Sequence, residues 1–163
     1  MSNNRKSQSE VNENVKPGDF APEFEGPTSD GTKLALKDFV GKKNVVLYFY
    51  PKDDTPGCTK EACSFRDNVQ PLRQLGAEVV GVSLDSVESH KKFTTKYSLP
   101  FPLISDKEKR IAGAYGVLRE NGTSTNRVTF IIDKAGKVAK IFPKVDVSKH
   151  TEEVIDALKT LPP

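Results

Sequence analysis

The order of apolar and polar residues along the chain predicts strands that alternate with helices. The apolar runs at 45–50 (VVLYFY) and 78–85 (EVVGVSLD) are typical of strands that are buried on both faces of a sheet. Between them, apolar residues at helical spacing predict one helix from Pro56 to about Leu75. The same criteria predict helices over 86–97, 106–116 and 151–161 and a short strand over 101–105.

Two predicted hairpins complete the pattern. Residues 23–36 (EFEGPTSDGTKLAL) carry the turn signal SDG, and residues 127–133 and 137–142 flank the turn KAG. The element order is then β-α-β-α-β-α-β-β-α behind an N-terminal hairpin. This alternation predicts an α/β fold with a mixed central sheet flanked by helices, in which the later hairpin supplies the antiparallel pairing.

Composition and charge narrow the class of protein. The 163 residues suffice for one domain with a hydrophobic core. The 25 basic and 22 acidic residues are interleaved and leave a net charge of +3, without the basic block that would bind nucleic acid. No apolar run approaches the roughly 18 residues that a membrane span needs, so we expect no membrane partner.

The start of the chain differs from the rest. Residues 1–16 are polar and predict a flexible tail, followed by a single domain over 17–163. The tail lacks the apolar segment of a secretory signal, so we expect a cytoplasmic protein. Because thiols are kept reduced there, two cysteines indicate catalysis, redox exchange or metal binding more than a structural disulfide.

Cys58 lies where the predicted helix begins, at the carboxyl end of the first buried strand, which is where α/β folds place ligand sites. Pro56 suits the first helical position, which makes Thr55 the N-cap and Cys58 the third residue of the helix. The unpaired N–H groups and the dipole of the helix start favour a thiolate at that position. A fast thiol enzyme also needs donors for the charge that develops on its substrate. The candidates are the Thr55 hydroxyl, free N–H groups and an arginine from elsewhere.

Cys63 follows five residues later. An intact α-helix separates the two Cα atoms by roughly 8–9 Å. A disulfide needs them within about 7 Å. Either Cys63 is an inert core residue, or the helix start unwinds after Cys58 is oxidised and the two sulfurs meet.

A metal site is a further alternative. Zinc needs more ligands than two thiols supply, and His90 and His150 show no ligand spacing to the cysteines. We expect both histidines to be solvent-exposed residues of amphipathic helices. From the residues alone, redox catalysis is favoured over a metal site or two incidental cysteines.

The pattern P-x-x-x-T-x-x-C, formed by Pro51, Thr55 and Cys58, resembles the active-site signature of the peroxiredoxins. The longer stretch YPKDDTPGCTKEACSFRD is similar to the peroxiredoxin Q subfamily, also called bacterioferritin-comigratory protein. The similarity extends from PGDFAPEF through GVSLDSVESHKKF to RVTFIID, which is most of the chain. It implies a thioredoxin-like fold and a thiol-dependent peroxidase.

The resemblance also implies roles for individual residues. Cys58 would be the peroxidatic cysteine and Cys63 the resolving cysteine that forms an intramolecular disulfide with it. Thr55 would hydrogen-bond the peroxide, and Pro51 would shield the thiolate from water. Arg127, directly before the strand VTFIID, would be the arginine of the active site.

Substrates, reductant and assembly follow from the same resemblance. It implies hydrogen peroxide and organic hydroperoxides as substrates, a thioredoxin-type dithiol as reductant, no metal, flavin or haem, and a monomer or weak dimer. The rival is a thiol–disulfide carrier or metallochaperone of thioredoxin fold. Such carriers use C-x-x-C and a proline before the later strand, and copper chaperones use C-x3-C and a histidine. This chain instead has C-x4-C and Asn126–Arg127–Val128.

Overall fold

A computed structural model describes residues 15–162 of the chain, which form seven β-strands and five α-helices. The strands are β1 (Glu25–Pro27), β2 (Lys33–Ala35), β3 (Asn44–Phe49), β4 (Ala77–Ser83), β5 (Leu103–Ser105), β6 (Val128–Ile132) and β7 (Val138–Phe142). The helices are α1 (Pro56–Asp67), α2 (Val69–Gln74), α3 (Val87–Tyr97), α4 (Arg110–Ala114) and α5 (His150–Leu158).

Five strands form one mixed sheet in the order β5-β4-β3-β6-β7. The pairs β3–β4 and β4–β5 are parallel, whereas β3–β6 and β6–β7 are antiparallel. β1 and β2 form a separate antiparallel pair, and a single bridge from Thr28 to Ile104 joins this hairpin to the β5 edge. The predicted mixed sheet and N-terminal hairpin are therefore confirmed.

β3 lies at the centre of the sheet, and all six of its residues are buried. Because successive side chains of a strand point to opposite faces, β3 contributes to two cores. Leu47 and Phe49 belong to one core, and Val46 and Tyr48 belong to the other. The second core also contains Cys58, so the candidate nucleophile is packed against the central strand.

The prediction of a single helix from Pro56 to Leu75 is wrong, because the structure divides this segment at Asn68 into α1 and α2. Pro71 supplies the physical reason. Inside a continuous helix, proline would remove a backbone hydrogen bond and clash with the carbonyl of Asp67. After the break it lies in the first turn of α2, where an N–H has no partner within the helix.

The helix predicted over 106–116 is shorter than expected and begins at Arg110. Lys109 has φ +66°, a left-handed conformation that precedes the first helical turn. The Asp106 carboxylate accepts hydrogen bonds from the backbone N–H groups of Ile111 and Ala112, at 3.1 and 2.8 Å. The chain from 106 to 109 therefore caps the helix instead of extending it. The helix ends at Ala114, two residues before the predicted end at Gly116.

The predicted tail falls mostly on residues 1–14, which lie outside the described residues. Of the two remaining tail residues, Val15 is only 2% exposed and packs in a core, whereas Lys16 is exposed. Between residues 15 and 162, no helix has the length and apolar character that a membrane span requires.

Candidate active site

Cys58 is placed at the start of α1, as the sequence predicted. Thr55 is the N-cap, with extended backbone angles of φ −101° and ψ 157°, and Pro56 is the first helical residue. The first turn contains no acidic residue that would compete for its N–H groups. Cys58 is 1% exposed and carries a free thiol. The sulfur therefore lies buried at the positive end of a helix, where an anion is favoured.

Thr55 and Pro51 belong to the loop that joins β3 to α1, the helix that carries Cys58. The Thr55 hydroxyl does not cap the helix, and it donates instead to the Lys52 carbonyl oxygen at 2.9 Å. This bond orients the hydroxyl within the loop and leaves its oxygen able to accept a hydrogen bond.

Arg127 directly precedes β6, and its position follows from the strand pairing. β6 runs antiparallel to β3, and Phe49 at the end of β3 pairs with Val128 at the start of β6. Arg127 therefore lies beside the loop that carries Cys58. Its Nη2 atom is 3.4 Å from Cys58 Sγ, so the guanidinium donates to the sulfur.

Glu61 completes the site, and the sequence analysis did not identify it. Arg127 Nη1 lies 2.8 Å from Glu61 Oε1, and the carboxylate is 1% exposed. Its second oxygen, Oε2, has no hydrogen-bond partner among the described residues. Glu61 follows Cys58 by three residues, a spacing that places both side chains on one face of α1. That spacing was the available signal, but it did not show that the face is buried.

The electrostatics of the site follow from one cation between two acidic groups. Burial raises the pKa of Glu61 to about 7, and the charge and hydrogen bond of Arg127 offset only part of that effect. Burial opposes the charge of Arg127, but Glu61 and Cys58 outweigh it and raise the pKa of the guanidinium. Arg127 therefore remains charged, whereas Glu61 can gain a proton near neutral pH.

Cys63 lies in the continuous part of α1, half-buried and with a free thiol. The helix is wound through both cysteines, so in this state the two sulfurs are not bonded. The residue after Cys63 is anchored, because Ser64 Oγ lies 2.7 Å from Thr151 Oγ1 of α5. The second half of α1 is therefore tied to α5 in a way that its first turn is not.

The expectation that both histidines are solvent-exposed is wrong. His90 is 0% exposed and His150 is 1% exposed. His150 Nε2 lies 2.7 Å from Thr129 Oγ1, and its ring packs edge-on against Phe65 and Phe142. Burial lowers the pKa of His150, against a smaller opposing effect of Glu153. Each histidine occupies the first turn of a helix that packs on the sheet. Helical spacing alone did not reveal that these positions are buried.

Comparison with known proteins agrees with this geometry. The sequence profile of the AhpC/TSA family matches residues 17–141. A putative peroxiredoxin bcp of Coxiella burnetii is 47% identical over 150 residues, which is 88% of this chain and 99% of that protein. A chloroplastic peroxiredoxin Q of Populus jackii is 44% identical over 149 residues, which is 90% of this chain and 70% of that protein.

A solved structure shares the whole fold. The bacterioferritin comigratory protein of Xanthomonas campestris, whose structure addresses its alkyl peroxide reduction activity, superposes with a TM-score of 0.80 and 34% identity. The match covers 90% of this chain and 96% of that one. Fold and relatives together define the class of thiol-dependent peroxidases. The chain belongs to the AhpC/TSA family and, within it, to the peroxiredoxins of the Bcp and peroxiredoxin Q group.

The close approach of Arg127 to α1 depends on the absence of a side chain at position 57. A Cβ atom on Gly57 would lie 3.1 Å from Arg127 Nη2. We predict that Gly57→Ala displaces the guanidinium by a few tenths of an ångström and slows peroxide attack on the order of ten-fold. Stability should not fall, because alanine is the better helix former by up to about 1 kcal/mol.

The matched control is Gly113→Ala in α4, where an added Cβ meets no atom within 4 Å. Competition kinetics against a reference peroxidase and thermal unfolding measure the two quantities. Equal rates for the Gly57 variant and the control would show that the approach of Arg127 does not limit attack.

The pKa of Glu61 predicts a pH-dependent stability. Between the ordinary carboxyl value of about 4.5 and the folded value of about 7, the folded protein holds a proton that the unfolded chain releases. Unfolding then releases a proton, so the free energy of unfolding falls as pH rises through this range. We predict that the wild type loses up to about 3 kcal/mol relative to Glu61→Gln between pH 4.5 and 8.

Urea unfolding at closely spaced pH values measures this difference. Glu120→Gln, at an exposed position, is the control and should give a curve parallel to the wild type. Parallel curves for the Glu61 variant as well would mean that burial does not raise the pKa of this carboxyl.

Proposed function

We propose that Cys58 is the nucleophile of this peroxidase and that Cys63 resolves its oxidised form. The observation that carries the proposal is the contact of 3.4 Å between Arg127 Nη2 and a buried sulfur at the start of α1. A cation and a helix start both favour the anionic sulfur that a thiol peroxidase needs.

The first step consumes one peroxide. The Cys58 thiolate attacks one peroxide oxygen, the S–O bond forms, and the O–O bond breaks. The second oxygen leaves with the bonding electron pair and takes a proton, which yields water or an alcohol. Cys58 is then a sulfenic acid. Arg127 Nη2 is positioned to stabilise the negative charge that develops between sulfur and leaving oxygen.

Thr55 and Pro51 shape the space in which the peroxide binds. In this proposal the Thr55 oxygen accepts a hydrogen bond from the peroxide, while the Thr55 hydroxyl continues to donate its hydrogen bond to the Lys52 carbonyl oxygen. In this proposal Pro51 shields the sulfur from water. Glu61 orients the guanidinium through Nη1, so that Nη2 is directed at the sulfur.

The second step forms the disulfide. The Cys63 sulfur attacks the Cys58 sulfur, the S–O bond breaks, and water leaves. The first turn of α1 must unwind for this step, because an intact helix holds the Cα atoms roughly 8–9 Å apart. The contact of Ser64 with Thr151 supports a division in which the later part of α1 stays in place. A dithiol protein of the thioredoxin type then supplies two electrons and restores both thiols.

The proposed substrates are hydrogen peroxide and organic hydroperoxides. The relative from Xanthomonas campestris is described by its alkyl peroxide reduction activity. A surface cavity of about 460 Å³ opens beside Pro51 and is lined in part by Leu84 and Thr123. We further propose a cytoplasmic monomer or weak dimer without nucleic-acid or membrane partners. No observation favours the carrier or metallochaperone alternative.

A pair of cysteine variants tests the assignment of the two steps. Cys58→Ser should abolish peroxide consumption in dithiothreitol without added metal. Cys63→Ser should consume one equivalent of peroxide at the wild-type rate and then stop cycling with thioredoxin, because the sulfenic acid has no internal partner. Rapid-quench mass spectrometry should find one added oxygen in Cys63→Ser and the loss of two hydrogens in the wild type. Normal thioredoxin-driven cycling of Cys63→Ser would exclude Cys63 as the resolving residue.

The role of Arg127 is tested by Arg127→Ala. Loss of a charge-stabilising donor should slow peroxide attack by about 3 kcal/mol, or about a hundred-fold. Arg110→Ala, which removes an arginine that is 82% exposed, is the control and should leave the rate unchanged. An unaltered rate constant in the Arg127 variant would remove this residue from the site.

A further inference from the structure

Two adjacent aspartates attach the active-site loop to opposite ends of α3. Asp53 contacts the first turn of that helix, with Oδ2 at 2.8 Å from Ser89 Oγ and 2.7 Å from His90 Nδ1. Asp54 contacts its last turn, and its two oxygens accept from Lys96 Nζ and Tyr97 Oη, each at 2.9 Å.

The Asp53 contact is buried and fully hydrogen-bonded. Asp53 is 7% exposed and His90 is 0% exposed. Asp53 Oδ1 accepts from Tyr50 Oη at 2.6 Å, and its backbone N–H donates to Asp85 Oδ2 at 2.9 Å. Burial raises the pKa of Tyr50 well above its ordinary value, so its hydroxyl keeps its hydrogen and acts as the donor. The segment just before Thr55 is thus held in place by hydrogen bonds to several parts of the fold.

The hydrogen bonds of His90 determine where a proton lies. His90 Nε2 is 3.0 Å from the Ile104 carbonyl oxygen, which only accepts, so Nε2 carries a hydrogen. Two bare lone pairs would repel each other at the 2.7 Å between Nδ1 and Asp53 Oδ2, so a second hydrogen lies between these atoms.

The hydrogen bonds of His90 and its neighbouring aspartates argue against a metal ion bound between these side chains. In the described part of the chain, Asp53, Asp85 and His90 are the one group of three side chains whose ligand atoms approach closely enough to hold a metal. Nε2 of His90 carries a hydrogen, another hydrogen joins Nδ1 to Asp53 Oδ2, and Asp85 Oδ2 accepts from Ser83 Oγ at 2.6 Å. The atoms that could bind a metal ion are thus already engaged in hydrogen bonds.

We propose that His90 and Asp53 are positioning residues for peroxide reduction, which hold the loop 51–55 on α3 while the first turn of α1 opens and closes. The proposal rests on the assignment of Cys58 as the nucleophile. Pro51 and Thr55 belong to the held loop, whereas Gly57 and Cys58 belong to the turn that must unwind. Pro51 and Thr55 would then keep their positions beside the peroxide throughout each catalytic cycle.

Substitution of His90 distinguishes positioning from simple filling of the core. His90→Asn retains a donor toward Asp53, whereas His90→Leu retains only apolar volume. We expect peroxide attack to slow on the order of ten-fold in the leucine variant and to stay within about three-fold of the wild type in the asparagine variant. If the leucine variant reacts as fast as the asparagine variant, His90 only fills space and the proposal is wrong.

A milder variant covers the case in which the leucine variant does not fold. Ser89→Ala removes one hydrogen bond to Asp53 from a half-buried position, and Thr95→Ala at an exposed position of α3 is its control. Attack should slow about two- to three-fold in the serine variant alone. Equal rates for this variant and its control would count against the proposal.

Hydrogen–deuterium exchange of the full chain tests the held loop directly. In the wild type, peptides over 51–55 should keep their protection after oxidation to the disulfide, while peptides over 56–62 lose it. Joint loss of protection in both segments would overturn the proposal. If no disulfide forms, the mechanism assigned to Cys63 fails instead, and the held loop is still tested by exchange of reduced His90→Leu against reduced wild type, where 51–55 should exchange faster.

Discussion

The active site depends on one guanidinium that is shared by two acidic groups. Arg127 directs Nη2 to the Cys58 sulfur and Nη1 to the Glu61 carboxylate; Cys58 and Glu61 are buried, and Arg127 is half-buried. A buried charge without a partner is strongly disfavoured, so each of the three would be costly alone. Because two acids share one cation, a proton on Glu61 leaves more of the guanidinium charge for the sulfur. In the proposed mechanism, the reactivity of Cys58 is thereby linked to the protonation of Glu61.

Sheet topology explains why this contact forms between residues that are 69 positions apart. The antiparallel pairing of β3 and β6 places the end of one strand beside the start of the other. The loop after β3 begins the helix of Cys58, and the residue before β6 is Arg127. Gly57 then allows the guanidinium to approach the helix backbone. The same central strand that forms both cores therefore also aligns the reacting groups.

In the proposed mechanism, helix α1 has to serve two states with opposite requirements. Attack on peroxide needs a wound first turn, because its N–H groups stabilise the sulfur anion. Disulfide formation needs the same turn to open. The segment around Gly57 lies between two anchored regions, namely the loop tied to α3 through Asp53 and the part of α1 tied to α5 through Ser64. In the proposed mechanism, opening of the first turn removes Cys58 from the second core and from Arg127, while the two anchors hold the rest of the fold in place.

The sequence by itself determined the local features of this protein. The alternation of elements, the position of Pro56 and the placement of Cys58 in the first turn all follow from sterics and hydrogen bonding within a few residues, and the structure agrees. The break between α1 and α2 also had a local signal in Pro71, which the helical spacing of apolar residues outweighed. The resemblance to a family, and not any spacing, singled out Arg127.

Only the tertiary structure decided which polar groups are buried and which residues they contact. Glu61 and His90 stand in amphipathic helices, and although Glu61 has the spacing that puts it on the face of Cys58, nothing near either residue in the chain shows that it is buried. Their burial depends on the strands and loops that pack against those helices, which are distant in sequence. Burial in turn sets the pKa of Glu61 and forces His90 to share a hydrogen with Asp53, because a buried polar group must find a partner within the protein.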